Sequence, residues 1–352
     1  MNNDSIKFKQ VLKIRTYRKK VDARYLDLVW EWEDEFKNLL GISFNYITKI
    51  DDYLDKIIKR TGINFSSLFS PNCYEFMWEM KARLKNHVYN RHNLIPNIVD
   101  FHVSKDELED FYRAYSKNPF ILISNLEVLP FLQENSFPKK IYHFPLSLAD
   151  RYRISPTTQF EKKYDLVLVG RQNPVLEEYM KLYSEKNKDF VYVYRVLKGE
   201  ASSNGSQKDM SFDYYTSKGE FLGNINNRNG YMELLRKSKI GFYSTPGIDG
   251  GEVRTKGFNY VTPRFLELLA CGCHVIARYK DTLDTDFYKL NEFCQSVNTY
   301  YDFEKQMDKA LKTPVDMKKY SDYLENHYTS KRIELLKNIF EKEKIKINIT
   351  NC

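Results

Sequence analysis

Apolar positions along the chain alternate between two periods. Residues 6–15 follow period two, with Ile6, Phe8, Leu12 and Ile14 on one side and Lys7, Lys9, Lys13 and Arg15 on the other. That pattern predicts a strand with one wet face, near a sheet edge. Tyr25, Leu28, Val29, Trp32, Phe36, Leu39 and Leu40 then fall at helical spacing, with Asp22 positioned to cap the start and Gly41 the end. Residues 42–47 read as a strand and 51–60 as a helix stopping at Gly62. Residues 72–90 read as a longer helix, because Phe76, Met80, Leu84 and Val88 recur every fourth position. A strand over 94–101 follows. Ser104 and Glu107 have capping-box spacing for a helix to Tyr115. Short strands at 120–124 and 140–144 flank a helix ending near Asn135.

Periodicity lapses over 149–158 and then resumes. Residues 165–170 (DLVLVG) form a buried strand ending in Gly, 174–186 a helix and 190–196 a strand. Residues 198–218 are polar and rich in Gly and Ser, a mobile surface loop by composition. Strands at 220–222 and 239–243 flank a helix at 230–237. A second Gly-rich loop spans 244–257, then a helix over 262–271 and a strand over 274–277. Helices at 301–311 and 330–345 close the chain. Strands alternating with helices imply parallel α/β sheets. The division expected is two tandem Rossmann-like domains, 1–155 and 156–315, facing a central cleft, with terminal helices over 316–352 packing back on the first.

Composition narrows the classes. A length of 352 residues suits two domains with cores of their own. Aromatics reach 15%, with 27 Tyr and 23 Phe, and the net charge is +8. Basic, aromatic-rich chains invite a nucleic-acid reading. The charge does not localise, however: residues 1–156 hold 24 Lys/Arg against 20 Asp/Glu, and residues 157–352 hold 31 against 27. The dense cluster is residues 7–20, which hold seven cations and no acid and suit contact with an anionic membrane or a solvated face. No signal-like stretch and no run of 18 apolar residues stands out, and five cysteines do not form a disulfide framework. Cys271 and Cys273 are too close for a zinc knuckle, so no metal site is expected. A cytoplasmic location follows as the expectation.

The chemistry concentrates in 261–277, Val-Thr-Pro-Arg-Phe-Leu-Glu-Leu-Leu-Ala-Cys-Gly-Cys-His-Val-Ile-Ala. Thr262 is read as an N-cap with Pro263 at the first helical position, opening a helix after a glycine loop. Such a helix start attracts phosphate. Arg264 in the first turn opposes the helix dipole, which makes sense if it meets a diphosphate. An amphipathic helix with Phe265, Leu268 and Leu269 in the core accounts for the apolar positions alone.

Residues 265–277 resemble the donor-binding helix and following strand of GT-B fold glycosyltransferases, most closely the group similar to glycosyltransferase family 4. The resemblance implies an enzyme that moves a sugar from a nucleotide-sugar donor to a glycan or lipid-linked acceptor, in surface polysaccharide assembly. It implies Glu267 on the ribose hydroxyls. Asn259 stands eight residues earlier, where that group has a Glu on the donor sugar. Gly170-Arg171 resembles the turn whose Arg neutralises the diphosphate, with Arg254 or Lys256 supplying a second cation. Gly223 and Asn224 resemble the segment that reads the base. His102, beyond the strand at 94–101, matches a His that faces the donor sugar. His102, Arg171 and Arg264 are thus the catalytic candidates, and Gly170, Gly223, Asn224, Arg254, Lys256, Asn259, Thr262 and Glu267 bind donor. No cofactor or divalent metal is required by this fold. A nucleotide-sugar epimerase of the same fold, an inactive nucleotide-sugar-binding module and a nucleic-acid-binding protein are the alternatives.

Overall fold

The computed structural model describes residues 10–21, 26–198 and 211–348. The chain forms two compact units. The first comprises Val29–Pro145 with Met1–Val21 and Thr329–Cys352, the second Leu146–Tyr328 with Asp22–Leu28. The chain thus changes unit at 145/146, ahead of the 155/156 boundary expected where periodicity lapses.

The first unit runs β1 (Gln10–Thr16), α1 (Asp27–Leu40), β2 (Ser43–Tyr46), α2 (Lys49–Thr61), β3 (Tyr74–Lys81), β4 (Leu94–Asp100), α3 (Leu108–Tyr115), β5 (Ile121–Ile123), α4 (Val128–Glu134) and β6 (Ile141–His143). Among the described residues these strands make a parallel sheet in the order β1-β3-β4-β5-β6, with β2 on the outer side of β1. Residues 72–90 are therefore not a helix. A repeat of four is also a multiple of two, so the apolar spacing fits one face of a strand equally well. Both faces of β3 are covered: Phe76 and Trp78 on one and Glu75, Met77 and Glu79 on the other are all buried. The acids tolerate this because Arg91 and Arg15 pair with Glu75, and Arg83 with Glu79. β1 likewise lies inside the sheet rather than at its edge. Its expected wet face is closed at Arg15, which is buried between Asp51 and Glu75.

The second unit runs β7 (Tyr164–Val167), α5 (Pro174–Lys186), β8 (Tyr192–Lys198), β9 (Ser211–Thr216), β10 (Phe221–Asn224), α6 (Arg228–Arg236), β11 (Ser238–Ser244), α7 (Glu252–Thr255), α8 (Arg264–Ala270), β12 (His274–Arg278), α9 (Leu283–Phe287), α10 (Leu290–Phe293), α11 (Tyr300–Lys312) and α12 (Met317–Leu324). Its sheet order is β10-β9-β8-β7-β11-β12. β9 is antiparallel to β8 and β10, and the other pairings are parallel. The stretch 198–218 thus holds a strand at its end, where Phe212 to Tyr215 align with Leu197 to Tyr194. Residues 199–210 lie outside the described residues. α9, α10 and α12, short or weakly periodic, were not anticipated.

Gly241 on β11 lets α8 lie close to the sheet, since a Cβ there would stand 2.2 Å from Leu268 Cδ2. The chain then returns to the first unit through α13 (Thr329–Lys342) and β13 (Ile347–Asn348), which pairs with β1. Glu343 meets Lys140 at 2.8 Å, and Arg332 Nε donates to the Pro145 carbonyl at 2.8 Å. α12 stays with the second unit.

Candidate functional site

In an open parallel sheet, ligands gather beyond the carboxyl ends of strands where the order reverses. In the second unit that place is between β7 and β11. The chain leaves β7 toward β8 and later returns to the other side of β7 as β11. The turn after β7 carries Gly170 and Arg171, and the segment after β11 carries Thr245 to Gly247.

Gly170 adopts φ +68°, where glycine costs nothing and other residues are strained. A Cβ at this position would stand 1.9 Å from Nη2 of Arg264. The guanidinium of Arg264 therefore occupies the side-chain space of the turn. Its Nη1 donates to the Arg171 carbonyl at 2.8 Å. Arg171 itself is exposed. The structure thus brings together Gly170, Arg171 and Arg264 across 93 positions.

Glu267, one turn further along α8, is buried. Tyr231 Oη donates to its Oε2 at 2.6 Å, and Arg228 Nη1 lies 2.8 Å from its Oε1. Each carboxylate oxygen keeps a second lone pair for another donor. Burial pushes the Tyr231 phenol far above its ordinary value, Glu267 adds to this, and Arg264 and Arg228 oppose it. Arg195 of β8 joins the group. Its guanidinium stands 4.0 Å from the centre of the Phe212 ring and bonds Tyr214. Burial lowers the Arg195 pKa and the charge of Arg264 lowers it further, while Tyr214 opposes both. Arg195, Arg228, Tyr214 and Tyr231 escaped the sequence reading. Arg195 was the sole charge in the strand FVYVYRV, and that was the available signal.

The glycine loop is pinned from below. Asn259, buried, accepts the Gly247 N–H at 3.1 Å. Asn173 caps α5, accepting from Val175 and Leu176, and donates to Asp249 at 2.7 Å. Arg278 grips the same carboxylate through Nε at 2.6 Å and Nη2 at 2.9 Å. A Cβ at Gly251 would stand 1.9 Å from the Pro246 carbonyl, so the loop cannot fold this tightly without glycine. Arg254 donates to that carbonyl at 3.3 Å, and Lys256 follows in the left-handed region at φ 56°.

Other expected residues lie apart. Helix α8 starts at Arg264, with Pro263 in the cap position and no side-chain cap. Thr262 therefore does not cap it as expected. Its side chain instead bonds the buried Tyr243 hydroxyl, to which its N–H also donates at 3.0 Å. Gly223, at φ +108°, sits at a register shift in β10, and Asn224 donates to Asp213 at 2.9 Å. β10 is the far edge strand, three strands from β7. His102 belongs to the first unit, two residues beyond β4, and is half-buried.

Three of the five described cations of the N-terminal segment form ion pairs. Arg15 pairs with Asp51, Arg18 with Glu33 and Asp34 at 2.7 Å each, and Lys20 with Asp52. Lys7 and Lys9 lie outside the described residues. Among the described residues, no group of three or more His, Cys, Asp and Glu is placed to hold a metal ion, and no helix is long and apolar enough to cross a membrane.

Residues 199–338, about two fifths of the chain, match a family model described as glycosyl transferase-like. No curated protein matches. Among solved structures the chain is similar to AviGT4, a glycosyltransferase involved in avilamycin A biosynthesis (12% identity, 95% of this chain and 97% of that one, TM-score 0.54). It is similar to the N-terminal domain of Candida albicans trehalose-6-phosphate phosphatase (8% identity, 96% and 98%, TM-score 0.54). It is also similar to the pneumococcal O-GlcNAc transferase GtfA, solved with UDP and GlcNAc (10% identity, 85% and 61%, TM-score 0.50). The chain spans about three fifths of GtfA.

Proposed function

From a chain of GT-B fold whose residues 199–338 match a glycosyl transferase-like family, we propose a transferase acting on a nucleoside-diphosphate sugar. The acceptor is a glycan or a lipid-linked saccharide. The observation that carries this reading is the guanidinium of Arg264 filling the space above Gly170, at the carboxyl end of β7, with Arg195 and Arg228 nearby. Positive charge held in place where a diphosphate leaves stabilises the developing charge without reorganisation at the moment of reaction. In this reading Arg171 and Arg264 hold the diphosphate, and the loop cations Arg254 and Lys256 assist. Glu267, oriented by Arg228 and Tyr231, accepts from two ribose hydroxyls through its remaining lone pairs. Gly223 and Asn224 read the base, and Asn259 and Thr262 shape the loop and turn that enclose the sugar. The arginines take the place of a divalent ion on the leaving group.

The test is a thermal-shift panel of nucleoside diphosphates, beginning with UDP. A ligand of the folded state raises stability by about 2.7 kcal/mol at a hundredfold excess over its Kd. The expected result is a concentration-dependent rise for at least one diphosphate, abolished in Arg264→Ala. Absence of any rise, or an equal rise in the variant, refutes the assignment.

A further inference from the structure

The first unit has an outward face that its own packing leaves uncovered. Helix α2 buries Leu54 and Ile58 against Ile47, Met77 and Val88. A second stripe runs along its outside at helical spacing: Lys49, Ile50, Tyr53, Lys56, Ile57 and Arg60. Ile50 is 68% exposed and Tyr53 66%. Beyond the left-handed cap at Gly62 the chain carries further exposed apolar side chains: Ile63, 65% exposed, and Leu68 and Phe69 on a 3₁₀ turn, 80% and 55%. One exposed Leu is ordinary, but five large apolar side chains are exposed within residues 50–69.

Charge decides what covers it. The acids of α2 are engaged elsewhere: Asp51 with Arg15, Asp52 with Lys20, and Asp55 with Lys59 and the Val88 N–H. Lys49, Lys56 and Arg60 have no ion-pair partner among the described residues. They space free positive charge along a helix about 20 Å long. Apolar side chains interleaved with free cations over such a length match a continuous layer of anionic headgroups above an acyl boundary. We propose that this face docks the protein onto an anionic bilayer. It lies apart from the N-terminal basic segment, in which Arg15, Arg18 and Lys20 form ion pairs. The proposal stands independently of the donor site.

The experiment is flotation of the full chain with vesicles of phosphatidylcholine alone or of equal parts phosphatidylcholine and phosphatidylglycerol. Binding is expected to the mixed vesicles and not to the neutral ones. Leu68→Ser with Phe69→Ser should lower the partition coefficient by more than about tenfold. Lys56→Gln with Arg60→Gln should lower it by about fivefold per charge, and added salt should mimic that loss. All four side chains are exposed, so melting temperature and the diphosphate shift should stay unchanged and report intact fold and donor site. No binding to mixed vesicles overturns the proposal, as does binding that neither variant weakens. Self-association lost in the Leu68/Phe69 variant without vesicle binding also overturns it, and makes the occupant a second copy.

Discussion

Both units bury charge, on different terms. In the first, Glu75 lies between Arg15 and Arg91, and Glu79 takes Arg83 and the Tyr115 hydroxyl. Arg15 also meets Asp51 of α2, so three acids face three arginines, with Glu75 and Glu79 inside the sheet. In the second, one carboxylate, Glu267, and three arginines, Arg195, Arg228 and Arg264, gather around Tyr231 at the strand ends. Matched buried charges stabilise one another and hold sheet and loops in register. Positive charge gathered at the mouth of a parallel sheet suits an incoming anion. Three half-buried arginines about one buried carboxylate thus set this cluster apart from the paired set in the first unit.

The largest effect should come from breaking the matched set. Arg91→Leu leaves Glu75 buried with less compensation and should lower unfolding stability by about 3–5 kcal/mol in chemical denaturation. Arg264→Ala should do the reverse, cutting turnover by well over tenfold while stability moves by about 0.5 kcal/mol or less. If Arg264 instead behaved like Arg91, losing stability first, the contrast between the two clusters would collapse. Gly170→Ala is intermediate. The left-handed turn should cost about 1 kcal/mol, and displacement of the guanidinium should weaken diphosphate affinity about tenfold, read by titration.

The smallest effect is a pH slope in the first unit. Burial pushes the Glu33 carboxyl up to about 7 from 4.5, with Arg18 and Thr16 opposing. A raised carboxyl favours the folded state while protonated. Its stabilisation is full below about 4.5 and is lost as pH rises through about 7. Glu33→Gln should flatten the dependence of melting temperature over that window. An unchanged slope would show that Arg18 holds the carboxylate ionised.

Local chemistry was legible where neighbours in sequence decide it. The Ser104–Glu107 capping box, the left-handed stop at Gly62 and helix α5 from Pro174 to Lys186 all form as read. The turn at Gly170 and the helix holding Arg264 and Glu267 were marked by glycine, proline and charge in an apolar setting. The failures share a cause. Residues 72–90 were misassigned because spacing by four satisfies both periods, and only the coverage of both faces of β3 selects the strand. Arg15 was placed on a wet face because a charged residue alone gives no sign of a buried partner.

By itself, then, the sequence determined the alternation of strands and helices, the two-unit architecture and the local course of the helix and strand within 261–277. These rest on interactions within a few positions, where backbone geometry and capping leave little choice. Tertiary structure decided which charges meet which partners. Arg228 reaches Glu267 across 39 positions, Arg264 reaches the Gly170 turn across nearly a hundred, and Arg15 finds Glu75 sixty residues away. A buried charge is defined by its partner, and these partners meet only once the sheets have formed.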